Sequence, residues 1–329
     1  MLSDITRVYE EMAREIGKRE DLLIVSAPGS TVFPPVPHSI ATIPTNDTWA
    51  RDHGFITVVE ERREKEERGE RREERQGREE RQRREERGER RDEGEFILLD
   101  FKFNGWGEKF PAQLDNAINR QLWDKGLVRG TYEPHLDFVL EGGSIESDGQ
   151  GTIFTTECCL MAAHRNQPLA KQQIEERLKC WLGAKRVVWL QHGALIGDDT
   201  DGHIDTLVRI CPDNTLLYTG GDEEHPDLEL LERELQELRT LEGLPYRLLR
   251  LPLPRPIYDE GQRLPATYAN YLVINGAVLV PTYGQEDLDQ EALNTISQAY
   301  PEREMVAIDC RPVIRQHGSL HCCTMQLYG

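Results

Sequence analysis

The sequence has no uninterrupted apolar run of about 18 residues, so nothing in it reads as a membrane-crossing helix. The opening stretch, MLSDITRVYEEMAREIG, alternates apolar and charged positions and lacks the apolar centre of a signal peptide. A cytoplasmic protein is the expectation. Net positive charge is also missing. The formal charge is -19, which repels nucleic acid and anionic membrane surfaces and draws in small cations. No G-x-G-x-x-G follows the first strand-like run, which weakens a dinucleotide-binding reading. No Cys-x-x-Cys pair occurs, which argues against a zinc ribbon. Hydrophobic residues are scarce at 38%, but one segment accounts for much of that deficit.

Seven cysteines are present, an odd number, at 158, 159, 180, 211, 310, 322 and 323. In a reducing compartment they do not form a disulfide framework, and the simplest role for most of them is as small buried hydrophobes. The adjacent pair Cys322-Cys323, behind His321, is the exception that needs a chemical account.

Residues 60–95 break every surrounding pattern. They hold 16 acidic and 14 basic residues and no apolar face, so they cannot join a core. Opposite charges at three- and four-residue spacing fit a solvated arm. The flanks GFITVVE and FILLDFKF both read as strands, making the arm an insertion in a hairpin. With the arm set aside, five segments carry helical periodicity: 2–16, 112–125, 168–182, 226–242 and 286–300. Pro168 and Pro226 suit helix starts, and Gly126, Gly183 and Gly243 suit helix ends. Short β-like runs lie between them, and the last four helices begin roughly 55–60 residues apart, as a repeated unit of strands plus one helix would. A single α/β domain over residues 1–329 is expected, five units closing around an axis.

Polar clusters fall where strands begin or end. TWARDHGF carries Trp49, Arg51, Asp52 and His53; LEGGSIESDGQGT carries Glu141; GDDTDGHIDTLVRI carries Asp198, Asp199, Asp201, His203 and Asp205; the last is His321-Cys322. Read as strand residues, His203 and Asp205 point to one face. A thiolate is a strong nucleophile and an imidazole can shuttle its protons, but carboxylates alone disfavour the thiolate. A cationic substrate offsets that repulsion. A guanidinium suits best, being planar, always charged and matched to paired carboxylates.

Together NDTWARDHGF, FKFNGWGEKFPAQLDN, LEGGSIESDGQGT, DDTDGHIDT and GSLHCCTMQ resemble the agmatine deiminase family, which is related to bacterial peptidyl-arginine deiminases. The resemblance covers nearly the whole chain outside the arm. It implies the guanidine-modifying (pentein) fold, a five-bladed α/β propeller. It implies Cys322 as nucleophile and His203 as general acid/base. Asp52 and Asp205 become the carboxylates that clamp the guanidinium, and Glu141 the acid supporting the histidine. Cys323, if on a strand, points away from Cys322 and is structural.

The implied chemistry converts agmatine to N-carbamoylputrescine and ammonia, through an amidino-thioether on Cys322, with no metal and no organic cofactor. Trp49 and Asp199 are the expected contacts for the methylene chain and the distal ammonium. The expected partner is thus a small guanidinium substrate, with no nucleic acid and no membrane, and the sequence is compatible with a homo-oligomer without setting its size. Ser144, His317 and Met325 depart from the family pattern and bear on selectivity. Three readings stay open beside this one: a peptidyl-arginine or other guanidine deiminase on the same fold; a metallohydrolase using His203, Asp205, Asp201 and His321; and a non-catalytic binding protein on the same propeller.

Overall fold

A computed structural model describes residues 2–30, 34, 36–59 and 96–328. Helix α1 (Leu2–Gly17) leads into β1 (Leu23–Ser26) and β2 (Ser39–Thr42), which pair in parallel. The short helix α2 (Ala50–His53) precedes β3 (Ile56–Val59). From β3 onward one pattern recurs. An antiparallel hairpin is followed by a helix and a third strand parallel to the second, a connection that needs a crossover.

In the first such unit, β3 pairs with β4 (Phe96–Lys102), and α3 (Ile118–Asp124) leads to β5 (Thr131–Val139). In the second, β6 (Ile145–Ser147) and β7 (Thr152–Thr156) are followed by α4 (Glu157–Leu160), α5 (Lys171–Trp181) and β8 (Arg186–Leu190). In the third, β9 (Val208–Cys211) and β10 (Thr215–Thr219) precede α6 (Pro226–Glu237) and β11 (Arg247–Leu251). A small ribbon, β12 (Tyr258–Asp259) with β13 (Gln262–Arg263), intervenes. The fourth unit is β14 (Leu272–Ile274), β15 (Ala277–Thr282), α7 (Glu286–Ser297) and β16 (Glu304–Asp309). The α/β class and the five helical segments are as the sequence suggests; among the described residues the sheets are separate and none closes on itself.

Each unit has its own core between sheet and helix. In α6, Leu228, Leu231 and Leu235 recur at helical spacing and are fully or almost fully buried against Phe154, Leu216 and Tyr218. Pro226 opens this helix, and Asp227 in its first turn accepts hydrogen bonds from Gly193 N and Ala194 N. Ile174 and Leu178 of α5 do the same work against Phe138 and Ile153.

Several boundaries differ from the sequence expectation. The second helix begins at Ile118 after a 3-10 turn, not at 112. Pro168 does not start a helix, which begins at Lys171. The fourth ends at Glu237 because Leu238 is extended (ψ 150°), five residues short of 242. Residues 204–206 form a 3-10 turn with His203 at its N-terminus (φ -55°, ψ 132°), so His203 and Asp205 do not share a strand face. The segment at Cys322 and Cys323 is a turn, not a strand, with Cys323 N donating to Ser319 O. Cys158 and Cys180 are exposed rather than buried, and all seven cysteines are free. The charged arm lies outside the described residues, but its flanks pair antiparallel with Val59 opposite Phe96.

Replacing Leu231 by Ala should cost about 2–5 kcal/mol in denaturant unfolding through the cavity it leaves. Its 40%-exposed neighbour Leu230, changed to Ala, should cost under about 0.5 kcal/mol. Equal losses at the two positions would contradict the assignment of the buried face.

Candidate active site

Three turns converge at the site: α2, the 3-10 turn Gly142–Ser144 that follows Glu141, and the 3-10 turn Ile204–Thr206. The C-terminal segment is tied to them by Arg51. Its N–H donates to Cys322 O at 3.1 Å, and its guanidinium donates to Gln326 Oε1 at 2.8 Å. Arg51 is thus buried in a structural role and unavailable to a substrate carboxylate; burial lowers its pKa to about 10.

The three turns meet around a residue without a side chain. A Cβ placed on Gly143 would lie 2.7 Å from His203 Nδ1, 2.8 Å from Asp52 Oδ1 and 3.3 Å from Asp205 Oδ1. Glycine is required there because polar atoms of three different loops occupy the space a methyl group would take. Its N–H donates to Asp52 Oδ1 at 3.1 Å, and Trp106 Nε1 donates to Asp52 Oδ2 at 2.9 Å. Asp52 is 3% exposed; burial first, then the nearby Asp205, hold its pKa well above the usual carboxylate value.

Cys322 faces Asn270 and Asp205. Its sulfur lies 3.2 Å from Asn270 Nδ2, 3.4 Å from Asn270 Oδ1 and 4.0 Å from Asp205 Oδ2. Asn270 Nδ2 also reaches Asp205 Oδ2 at 3.2 Å, and Asn270 Oδ1 accepts from the backbone of His321 and Cys322. One amide therefore sets the turn that presents the thiol. His321 Nδ1 donates to Asp205 Oδ2 at 2.7 Å, while Asp205 Oδ1 is buried without a hydrogen-bond partner. Burial raises the Asp205 pKa to about 7, against the pull of Arg209 and Arg51. Burial, then Asp205 and Asp52, push the Cys322 thiol well above its ordinary value.

His203 sits between two carboxyl groups: Nδ1 is 3.6 Å from Asp52 Oδ1 and Nε2 is 4.0 Å from Glu141 Oε2. Burial, then Arg165, lower its pKa well below the usual imidazole value, so the ring is neutral at pH 7. Glu141, fully buried, accepts from Arg165 Nε at 3.2 and 3.1 Å. Glu141, Cys159 and His203 have ligand-type atoms within 4.8 Å of one another, which raises the question of a metal. Arg165 already faces both Glu141 oxygens with a positive charge, so this trio does not suit a cation. Asp201 and His321, invoked for a metallohydrolase, are paired with Lys109 and Arg165 and with Asp205 respectively.

A cavity of about 350 Å³ reaches Cys322 and Asp52. Trp49, Trp106 and Phe110 form apolar walls, while Asp47, Asp199, Thr200, Gln316 and His317 supply polar ones; no Arg or Lys is among the described lining residues. Trp49 packs on Gly318 so closely that a Cβ there would sit 2.2 Å from its ring. His317, at φ 68°, puts Nδ1 2.9 Å from Gly197 O and 3.8 Å from Asp199 Oδ2. Of the seven residues singled out for the site, Trp49, Asp52, Asp199 and Cys322 line this cavity, while Asp205 adjoins Cys322, His203 adjoins Asp52, and Glu141 adjoins His203. Gly143, Asn270, Trp106 and Arg165 belong to the same constellation and were not singled out from sequence. Cys323 is half-buried and hydrogen-bonded to Tyr9, its pKa raised to about 12 by burial.

Comparison with known proteins places the whole chain among deiminases. Agmatine deiminase from Medicago truncatula is 30% identical over 316 residues, 87% of this chain and 77% of the relative. A solved agmatine deiminase of C. jejuni, a cysteine-to-serine variant with substrate bound, is 35% identical with TM-score 0.82, covering 98% of this chain and 86% of that one. A structural-genomics protein from Porphyromonas gingivalis is 43% identical with TM-score 0.86, covering 99% and 90%. The sequence pattern of the Porphyromonas-type peptidyl-arginine deiminases matches residues 1–327, and the chain belongs to that family.

Proposed function

We propose that this protein is an agmatine deiminase, hydrolysing the guanidinium group of agmatine to N-carbamoylputrescine and ammonia. The carrying observation is the meeting, around Gly143, of Asp52, Asp205 and His203, with the Cys322 sulfur 4.0 Å from Asp205. A guanidinium between Asp52 and Asp205 supplies the positive charge that the buried carboxyls lack. The same cation reverses the electrostatics that hold the thiol protonated.

The Cys322 thiolate attacks the guanidinium carbon. His203, protonated as the thiol ionises, gives its proton to the departing nitrogen, and ammonia leaves as the C–N bond breaks. His203 then takes a proton from water, which attacks the amidino-thioether carbon. The C–S bond breaks, the thiol is restored and the ureido product leaves. Glu141 lies beside His203 Nε2 at 4.0 Å, and Asn270 orients the sulfur. The cavity favours agmatine over free arginine: its walls carry Asp47 and Asp199 for a distal ammonium, Trp49 for the methylenes, and no described cation for an α-carboxylate. The family name supports a peptidyl-arginine substrate as second reading.

We also assign residues 1–329 to one domain interrupted at 60–95. Its four strand-hairpin-helix units, with α1 and the β1–β2 pair as a fifth, form the blades of a propeller. The repeated connectivity supports this, as does the supply of site residues by loops of successive units.

A panel of agmatine, arginine and C-terminal arginine peptides, read by ammonia release, should show highest kcat/KM for agmatine; best turnover of a peptide would transfer the assignment to the second reading. Cys322→Ala should abolish release, and intact-mass analysis should find the amidino adduct on Cys322, whereas Cys323→Ala should keep most activity.

Asp205→Asn should separate thiol acidity from catalysis. Burial pushes the Asp205 pKa up to about 7, so above that pH its charge raises the Cys322 pKa, and well below it the carboxyl is neutral. Iodoacetamide should therefore alkylate Cys322 faster in the variant at pH 8, and at the same rate at pH 5.5. Turnover should fall on the order of 100-fold. Slower alkylation at pH 8 would contradict this account of the thiol.

A further inference from the structure

Arg165 lies in the loop between α4 and α5, a segment with no counterpart among the site motifs. Its side chain is fully buried, yet it spends every nitrogen on named partners. Nε meets both Glu141 oxygens, Nη1 donates to Asp201 Oδ2 at 2.7 Å, and Nη2 donates to Thr200 O at 2.8 Å. The next residue fixes it in place: Asn166 Oδ1 accepts from Val139 N and Asn166 Nδ2 donates to Val139 O, both at 2.8 Å, two residues before Glu141. Thr200 and Asp199 line the cavity, and the loop carrying them is organised by Asp198, which accepts from Thr200 N and Gly202 N. Lys109 grips the same loop from outside through Asp199 O and Asp201 Oδ1.

We propose that Arg165 is a positioning residue that locks Glu141 beside His203 and couples this pair to the Asp199–Asp201 loop at the cavity wall. The forked guanidinium suits the task because it holds a carboxylate and a second loop in fixed relative geometry, which an ammonium does not. Its charge has a second effect. It opposes protonation of the His203 ring, which Glu141 also adjoins at 4.0 Å. Burial alone would lower the Arg165 pKa, but Cys159, Glu141 and Asp201 more than reverse this, so the group stays charged.

The inference rests on the proposed deiminase reading for its kinetic part, while its titration part does not involve a substrate. Arg165→Met and Arg165→Lys in the full chain, labelled with 15N-histidine, are compared with wild type; His203 is assigned by its absence in His203→Asn. In Arg165→Met the His203 titration should move to higher pH, and kcat for agmatine should fall on the order of 10- to 100-fold. In Arg165→Lys the charge survives and the fork is lost, so the titration should stay near wild type while KM rises. A folded Arg165→Met variant whose His203 titrates as in wild type, or whose kcat stays within about twofold, would overturn the proposal.

Should the Met variant not fold, Asp201→Asn tests the loop half by itself: KM for agmatine should rise by up to about fivefold with kcat unchanged. An unmoved KM there counts against the coupling. If wild-type protein releases no ammonia from agmatine, the functional reading fails, while the His203 shift still decides the role of Arg165.

Discussion

Carboxyl groups held away from water are the constraint around which this molecule is organised. Asp52, Asp205 and Glu141 are 3%, 0% and 0% exposed. An uncompensated buried carboxylate costs several kcal/mol, so each group must be matched by donors or remain protonated. Each is treated differently. Glu141 receives a guanidinium, Asp52 receives an indole N–H and a backbone N–H, and Asp205 receives an imidazole and an amide with one oxygen left over. The first is paired with a full positive charge, and the other two are met only by neutral donors, with Asp205 Oδ1 left unpartnered. That gradient of compensation is what the proposed division between a supporting and two binding carboxyls rests on.

The fold serves this by repetition. Asp52 precedes β3, Glu141 follows β5, His203 and Asp205 precede β9, Asn270 precedes β14 and Cys322 follows β16. Every functional side chain is on a connection, not on a strand or long helix. Such connections would be loose without help, and here they are fixed by side-chain to backbone hydrogen bonds: Asn166 on Val139, Asn270 on His321 and Cys322, Asp198 on its own loop. The rigid parts, sheets with a helix each, supply stable ends from which these loops depart.

Local sequence revealed what local physics decides. The Leu228, Leu231, Leu235 spacing and Pro226 disclose α6 because apolar periodicity and an N1 proline act within one turn. Motif resemblance picked out residues that the fold brings together, Asp52, His203 and Asp205 around Gly143 with Cys322 beside Asp205, because their types are chemically constrained. What stayed hidden depends on distant partners. GHIDTLV alternates like a strand, yet its first residues form a 3-10 turn closed by Leu207 N on Ile204 O, while Thr206 O is taken by the hydroxyls of Thr219 and Thr267. HCC reads as β-like until Asn270, about fifty residues earlier, takes its N–H groups. Arg165 looks like a solvated loop arginine because its carboxylate partners are 24 and 36 residues away.

The pairing of Val59 with Phe96 has a consequence for how this chain is connected. Because these two are cross-strand neighbours, the 36 residues between them leave and return at one spot. The register of β3 against β4, Ile56 opposite Leu99 through Val59 opposite Phe96, is therefore set by the strands on either side of that stretch. The hairpin thus joins the charged tract to the rest of the polypeptide through one pair of neighbouring residues.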